Sequence, residues 1–343
     1  MQRRELVIGG LAAGVLGAPA LVRAQALEKP KATIAVGGKN LLYYLPLTVA
    51  EQKGFFKDEG LDLTIVDFAG GSKALAAVVG GSADVVSGAF EHTVNMQFKG
   101  QPMRAFVLQG RAPQIVLGVN PKTMPDFKSV ADLKGKKIGV TAPGSSTNVM
   151  ANFVLAKAGL KPSDVSIVGV GASNGAVAAM RSGNIDAISN LDPVITLLLR
   201  SGDLKIVADT RVLADADRIF GGPMPAACLY APQPFIDRNP ATVQAMTNAI
   251  VRADRWIQQA GPGDIINAVP ESFLLGDRAV YIDAFLAAKG ALSPDGMFPE
   301  AGAATAYRAL ASVDPKIAAA KLDLKAVYTN EFVKKANARY PRG

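Results

Sequence analysis

Two twelve-residue segments, AAVVGGSADVVS at 76–87 and AAMRSGNIDAIS at 178–189, match in register: Gly81 with Gly183, Asp84 with Asp186, Ser87 with Ser189. The elements around them repeat in the same order. The first copy reads as a strand at 32–36, a helix at 46–53, a strand at 61–68, a helix at 73–79 and a strand at 83–86. The second reads as a strand at 137–141, a helix to 158, a strand at 165–170, the matched helix and a strand ending at Ser189. Short apolar runs bounded by turn residues support the strands, and longer amphipathic stretches the helices. A repeat of this size constrains the fold before any single element is argued. One β-α-β-α-β unit used twice means two similar α/β lobes, each with parallel-sheet character.

Ligands of open α/β sheets bind beyond the carboxyl ends of the strands. Here those ends carry small and polar residues: Gly37-Gly38-Lys39-Asn40, Gly70-Gly71-Ser72 and Ser87-Gly88-Ala89 in the first copy, Pro143-Gly144-Ser145-Ser146 and Gly171-Ala172-Ser173-Asn174 in the second. Lobes that face each other would gather these ends into one cleft. The 142–146 corner opens a helix, whose first N–H groups lack helical partners and carry partial positive charge. Such a corner suits an anionic or strongly polar small molecule. A capped helix with no ligand uses the same residues, so the convergence of several corners carries the functional reading.

Composition removes other classes. With 49% hydrophobic and 19% charged residues over 343 positions, the chain reads as a packed protein of two domains. The net charge is +8, yet the basic residues are scattered, and the densest groups, 134–137 and 334–335, lack interleaved aromatics. No nucleic-acid surface is expected. The chain has one histidine, His92, and one cysteine, Cys228. They exclude an intrachain disulfide and leave too few N or S ligands for zinc. His92 is expected to make a local hydrogen bond and Cys228 to fill core. There is no P-loop, and Asn174 stands where a dinucleotide fingerprint starting at Gly169 needs its third glycine. With so few nucleophile–base pairs on offer, the expectation is a binder without cofactor or metal, not an enzyme.

Residues 1–26 read as an export signal: Arg3-Arg4, an apolar run at 6–21, and a small-x-small cleavage site at Ala24-Gln25-Ala26. The run is short for a membrane span and is broken by Pro19. A mature periplasmic protein without a membrane anchor is expected. The arginine pair followed by Leu6-Val7 is similar to a twin-arginine signal, without the usual Ser or Thr before it.

PLTVAEQKGFFKDEGLDL at 46–63 resembles the opening signature of the nitrate/sulfonate/taurine-type ABC transporter substrate-binding proteins. DLKGKKIGV at 132–140, Gly183-x-x-Asp186-Ala187 and Asp192-Pro193 resemble its later signatures. The resemblance implies a two-lobed type II periplasmic binding fold with a hinge and an inter-lobe cleft. Lobe I would comprise 27–119 and 223–343 and lobe II 120–222, with crossings near 119–121 and 222–229. Ligand contacts would map to Gly38, Lys39, Asn40, Gly71, Ser72, Ser87, Gly88, Ala89 and Gln109 in lobe I. In lobe II they would map to Ser145, Ser146, Thr147, Asn174 and Asp192. The implied solute is a sulfonate, nitrate or taurine-like anion, and the implied partner of the monomer is a membrane permease. A thiamine-pyrimidine precursor or an aromatic acid is the alternative solute. A pyrimidine-synthase-like enzyme is the remaining option, but it is expected to lack an export signal and to carry a His- and Cys-rich cluster. Two departures stand out. Tyr43-Tyr44 follow the first corner, and position 192 is Asp where Glu before Pro is frequent. Asp192 reads either as a partner for an amino group or as a helix N-cap ahead of Pro193. Lys39 reads as a ligand contact or a solvated lysine, and at least one of Tyr43 and Tyr44 reads as core.

Overall fold

The structure, a computed structural model, describes residues 26–341, so the export signal, Ala26 apart, lies outside the described residues. The strands are β1 (Lys31–Gly37), β2 (Asp62–Phe68), β3 (Val85–Ala89), β4 (Met103–Leu108), β5 (Val116–Val119), β6 (Lys137–Val140), β7 (Ser166–Gly169), β8 (Ala187–Asn190), β9 (Lys205–Asp209) and β10 (Ala227–Pro232). They form two five-stranded sheets, ordered β2-β1-β3-β10-β4 and β7-β6-β8-β5-β9. The pattern is the same in both. β1 lies parallel between β2 and β3, with Ile34 opposite Ile65 and Val85. β6 lies parallel between β7 and β8, with Ile138 opposite Ile167 and Ala187. Each sheet then admits one antiparallel strand, β10 in the first and β5 in the second.

The matched aspartates have matched work. Asp84 accepts from the Thr33 N–H through Oδ2 at 2.9 Å, while its own N–H donates to the Thr33 carbonyl. Asp186 treats Lys137 in the same way, also at 2.9 Å. In each lobe the turn before the third strand is thereby fastened to the start of the first.

Two features differ from expectation. β5 belongs to the second sheet, so the chain crosses between the sheets over 109–115, ahead of the 119–121 expected. The return runs from Asp209 to Ala227, beginning ahead of the 222–229 expected, and contains a helix, Leu213–Phe220. The helix Pro240–Gln259 packs beside Leu45–Gln52 and Glu331–Arg339 under the first sheet. One large apolar core runs across the two lobes, and Phe153 of the second stacks on Phe220 of the return segment with ring centroids 4.7 Å apart. A second core fills the outer side of the second sheet around Ile188, Val194 and Leu198. Among the described residues no helix is long and apolar enough to cross a membrane.

Candidate functional site

The carboxyl ends of the two sheets meet. Asn40 Nδ2 donates to the Ala172 carbonyl at 2.8 Å. The Ser72 N–H donates to Ser145 Oγ at 3.0 Å, Ser145 Oγ donates to Ser72 Oγ at 3.1 Å, and Ser72 Oγ donates to the Pro143 carbonyl at 2.9 Å. The Leu42 N–H donates to the Asp192 carbonyl at 3.1 Å. The backbones approach closely enough to require glycine at two places. Gly38 has φ +89°, and a Cβ there would lie 2.6 Å from Ala172 Cβ; one at Gly70 would lie 2.8 Å from Ala142 Cβ. The strand-end hydroxyls and amides thus bond to each other across the seam. Ser145 makes no side-chain cap bond to its own helix, Ser146–Lys157. Ser145→Ala is therefore expected to leave that helix intact and to weaken the closed arrangement by about 1–2 kcal/mol. A smaller closed fraction by single-molecule distance measurement between labelled lobes checks this.

The other expected site residues are placed as follows. Lys39 Nζ is 2.6 Å from Glu51 Oε2, on its own lobe. Gly71 is buried near His92 and Tyr44. Ser87 is buried, with Oγ accepting from Gln109 Nε2 at 3.0 Å. Gly88 and Ala89 are buried in β3, and a Cβ on Gly88 would meet the Tyr230 ring at 2.9 Å. Thr147 is buried, its hydroxyl 2.9 Å from that of Thr141. Asn174 is exposed at the start of the helix Asn174–Arg181. Asp192 is 2% exposed; its Oδ1 accepts from the Thr196 N–H and hydroxyl at 2.8 and 2.7 Å, and its Oδ2 lies 3.3 Å from Arg211 Nη1. The helix Val194–Arg200 has Pro193 at its N-cap position, so Asp192 stands one residue outside the expected cap while its carboxylate still takes the Thr196 N–H. Burial raises the Asp192 carboxyl above its usual range, against the pull of Arg211.

Between the lobes, below the seam, lies a cavity of about 10 Å³. Tyr43 and Glu91 line it from the first lobe, Ser146, Val149 and Met150 from the second, and Phe220 and Met224 from the return segment. Of the fourteen residues expected from sequence, Ser146 is the one that lines it. Glu91, Phe220 and Met224 escaped the sequence reading. For Glu91 the available signal was an acidic residue two positions after the strand-end triplet Ser87-Gly88-Ala89; Phe220 closes an amphipathic helix, Leu213–Phe220, that the sequence reading passed over, and Met224 carried no signal. Tyr43 packs edge-on against Tyr44, centroids 4.9 Å apart, so it is at once core and cavity wall.

Burial governs the titration of this region. Glu91 is 4% exposed, and desolvation pushes its carboxyl up to about 7, its own backbone N–H pulling the other way. Desolvation pushes His92 down to about 4, so the imidazole is neutral, with Nδ1 3.0 Å from the Tyr230 hydroxyl. Cys228 is buried and its thiol is raised by the same cause. Between pH 4.5 and 7 the folded chain holds more proton at Glu91 than the unfolded chain does. Stability therefore falls as pH rises through that window. Glu91→Gln is expected to stabilise the protein at pH 8 by on the order of 2–3 kcal/mol and to be nearly neutral at pH 4.5, as read from urea denaturation. Among the described residues no group of His, Cys, Asp and Glu is arranged to hold a metal ion.

Solved structures share this architecture. A protein of Bordetella bronchiseptica RB50 is 66% identical, with a TM-score of 0.92 over 92% of this chain and 100% of that one. The alkanesulfonate-binding protein SsuA of Xanthomonas axonopodis pv. citri, solved bound to MOPS, is 21% identical with a TM-score of 0.66, covering 89% and 100% of the two chains. That second likeness is one of fold: the two-lobed type II periplasmic binding protein fold. In sequence, YtlA of Bacillus subtilis (strain 168) is 26% identical over 238 residues, 68% of each chain. The profile of the NMT1-like family matches residues 27–268. This chain, with its doubled α/β unit closed over a small cavity, belongs to the NMT1-like family.

Proposed function

We propose that this protein is the exported, monomeric solute-binding protein of an ABC importer, that it captures a small solute between its lobes without altering it, and that its closed form docks on a membrane permease. The observation that carries this reading is the seam itself. Polar strand ends from two lobes bond across it and close over a cavity lined from both sides. A space of about 10 Å³ holds about one water. A solute therefore enters with the lobes parted, and the two connections over 109–115 and 210–226 are where the hinge belongs. The export signal read in residues 1–26 supports delivery from the periplasm, and the alkanesulfonate ligand named for SsuA supports a small organic solute.

A thermal-shift screen of sulfonates, nitrate, carboxylates, amines and aminopyrimidines tests the reading. A solute at 100 times its Kd is expected to add about 2.7 kcal/mol of stability. Failure of every compound in a broad set to raise the melting temperature counts against solute binding.

A further inference from the structure

Resting on that reading, we infer that Glu91 is the group that recognises the solute, and that the solute is an organic cation, an ammonium or amidinium on a largely apolar frame, rather than an anion. Glu91 is 4% exposed and lines the cavity. Among the described residues its carboxylate has no ion-pair or hydrogen-bond partner beyond its own backbone N–H. Buried carboxylates without partners are rare because desolvation opposes them. The contrast within the same cleft is direct: Asp192 is equally buried, yet it is held by Thr196 and Arg211. Nothing equivalent is built around Glu91.

The rest of the wall has the wrong charge for an anion. None of the residues lining the cavity is Lys, Arg or His. The basic groups that flank the cleft are spent, Lys39 on Glu51 and Arg211 on Asp209 and Asp192. An anion entering here would meet a carboxylate and no cation to offset it. A cation would gain the carboxylate and the faces of Tyr43 and Phe220, which also line the cavity. Val149, Met150 and Met224 would enclose its apolar part.

A proton competes with such a cation, since burial favours the acid form of Glu91. The other titratable groups facing it are Tyr43, Tyr44, Tyr230 and Cys228, all raised by burial, and His92, lowered by burial. All five stay neutral between pH 6 and 8. Binding of a cation should therefore strengthen as pH rises through about 7, with Glu91 as the group that titrates.

The test is calorimetry at pH 8 with matched probes: methylammonium, propylammonium and benzylammonium against acetate, propanesulfonate and benzoate. At least one ammonium is expected to bind tenfold or more tighter than its matched acid. Its affinity should rise about fivefold from pH 6 to pH 7, about twofold more by pH 8, and level off above that. Glu91→Gln should weaken it about 30-fold or more, Glu91→Asp less, both variants being checked for folding by circular dichroism melts. Preferential binding of the acids overturns the inference and leaves the solute-binding reading standing. So does a solute from the wider screen whose affinity Glu91→Gln leaves unchanged. No binding by any probe or screened compound, in wild type and both variants, overturns the inference and that reading together.

Discussion

Replacing Gly70 with valine is expected to hold the lobes apart while leaving each of them folded. Gly70 has an extended backbone, φ −177°, which any residue adopts, so the substitution strains nothing locally. The obstacle is across the seam. A Cβ at this position would lie 2.8 Å from Ala142 Cβ, 3.0 Å from the Ala142 backbone nitrogen and 3.0 Å from Ser145 Oγ, all in the other lobe. Two of those atoms are fixed to backbone and cannot swing away. Overpacking of this kind costs about 1–3 kcal/mol for an added methylene or so, and valine adds two methyls beyond Cβ. The closed state should be disfavoured by about 3 kcal/mol, which lowers apparent solute affinity about 100-fold through the smaller closed fraction. Small-angle scattering should show a larger radius of gyration, with the melting temperature nearly unchanged. A variant that scatters like wild type would mean that this contact does not set closure.

Arg211→Ala should cost about 3–5 kcal/mol of folding stability, because it leaves two carboxylates without their cation. Arg211 Nη2 lies 2.6 Å from Asp209 Oδ2, and Nη1 lies 3.3 Å from Asp192 Oδ2. Asp192 is the costly one, since Asp209 keeps some solvent contact while Asp192 is buried. Its carboxyl is already raised by burial with Arg211 pulling it down. Without the guanidinium the folded-state pKa climbs further above the unfolded value, so stability is lost as pH rises through that pKa. Urea denaturation should therefore show a larger penalty at pH 8 than at pH 5. Adding Asp192→Asn should recover much of the loss at pH 8, because an amide oxygen can still accept from Thr196 without carrying charge. Equal penalties at both pH values would show that packing, not charge, is what Arg211 supplies.

The repeat was legible because the same residue types recur at the same spacing in both copies. Asp84 and Asp186 each sit five residues past the end of their helices, beyond a turn with a left-handed glycine, Gly81 or Gly183, and each binds an amide near the start of its sheet's central parallel strand, β1 or β6. Strand and helix limits in both copies follow from the same short-range chemistry. β4 and β5 were not legible: nearly every residue of both is buried, so neither shows the alternation that marks a strand. The chain leaves the first sheet early for the same reason, since β5 pairs with β8 and β9, strands that come some 70 residues or more later in sequence.

By itself the sequence determined the doubled α/β unit and the small and polar residues at the ends of its strands. Tertiary structure decided how those ends are used, with Ser72 bonded to Ser145 and Asn40 to Ala172. It also decided that Glu91 is left without a partner at the cavity. The physical reason is that a hydroxyl or a carboxylate carries the same bonding capacity wherever it stands in the chain. What it costs to bury, and what is left to answer it, is set by segments brought together from far apart.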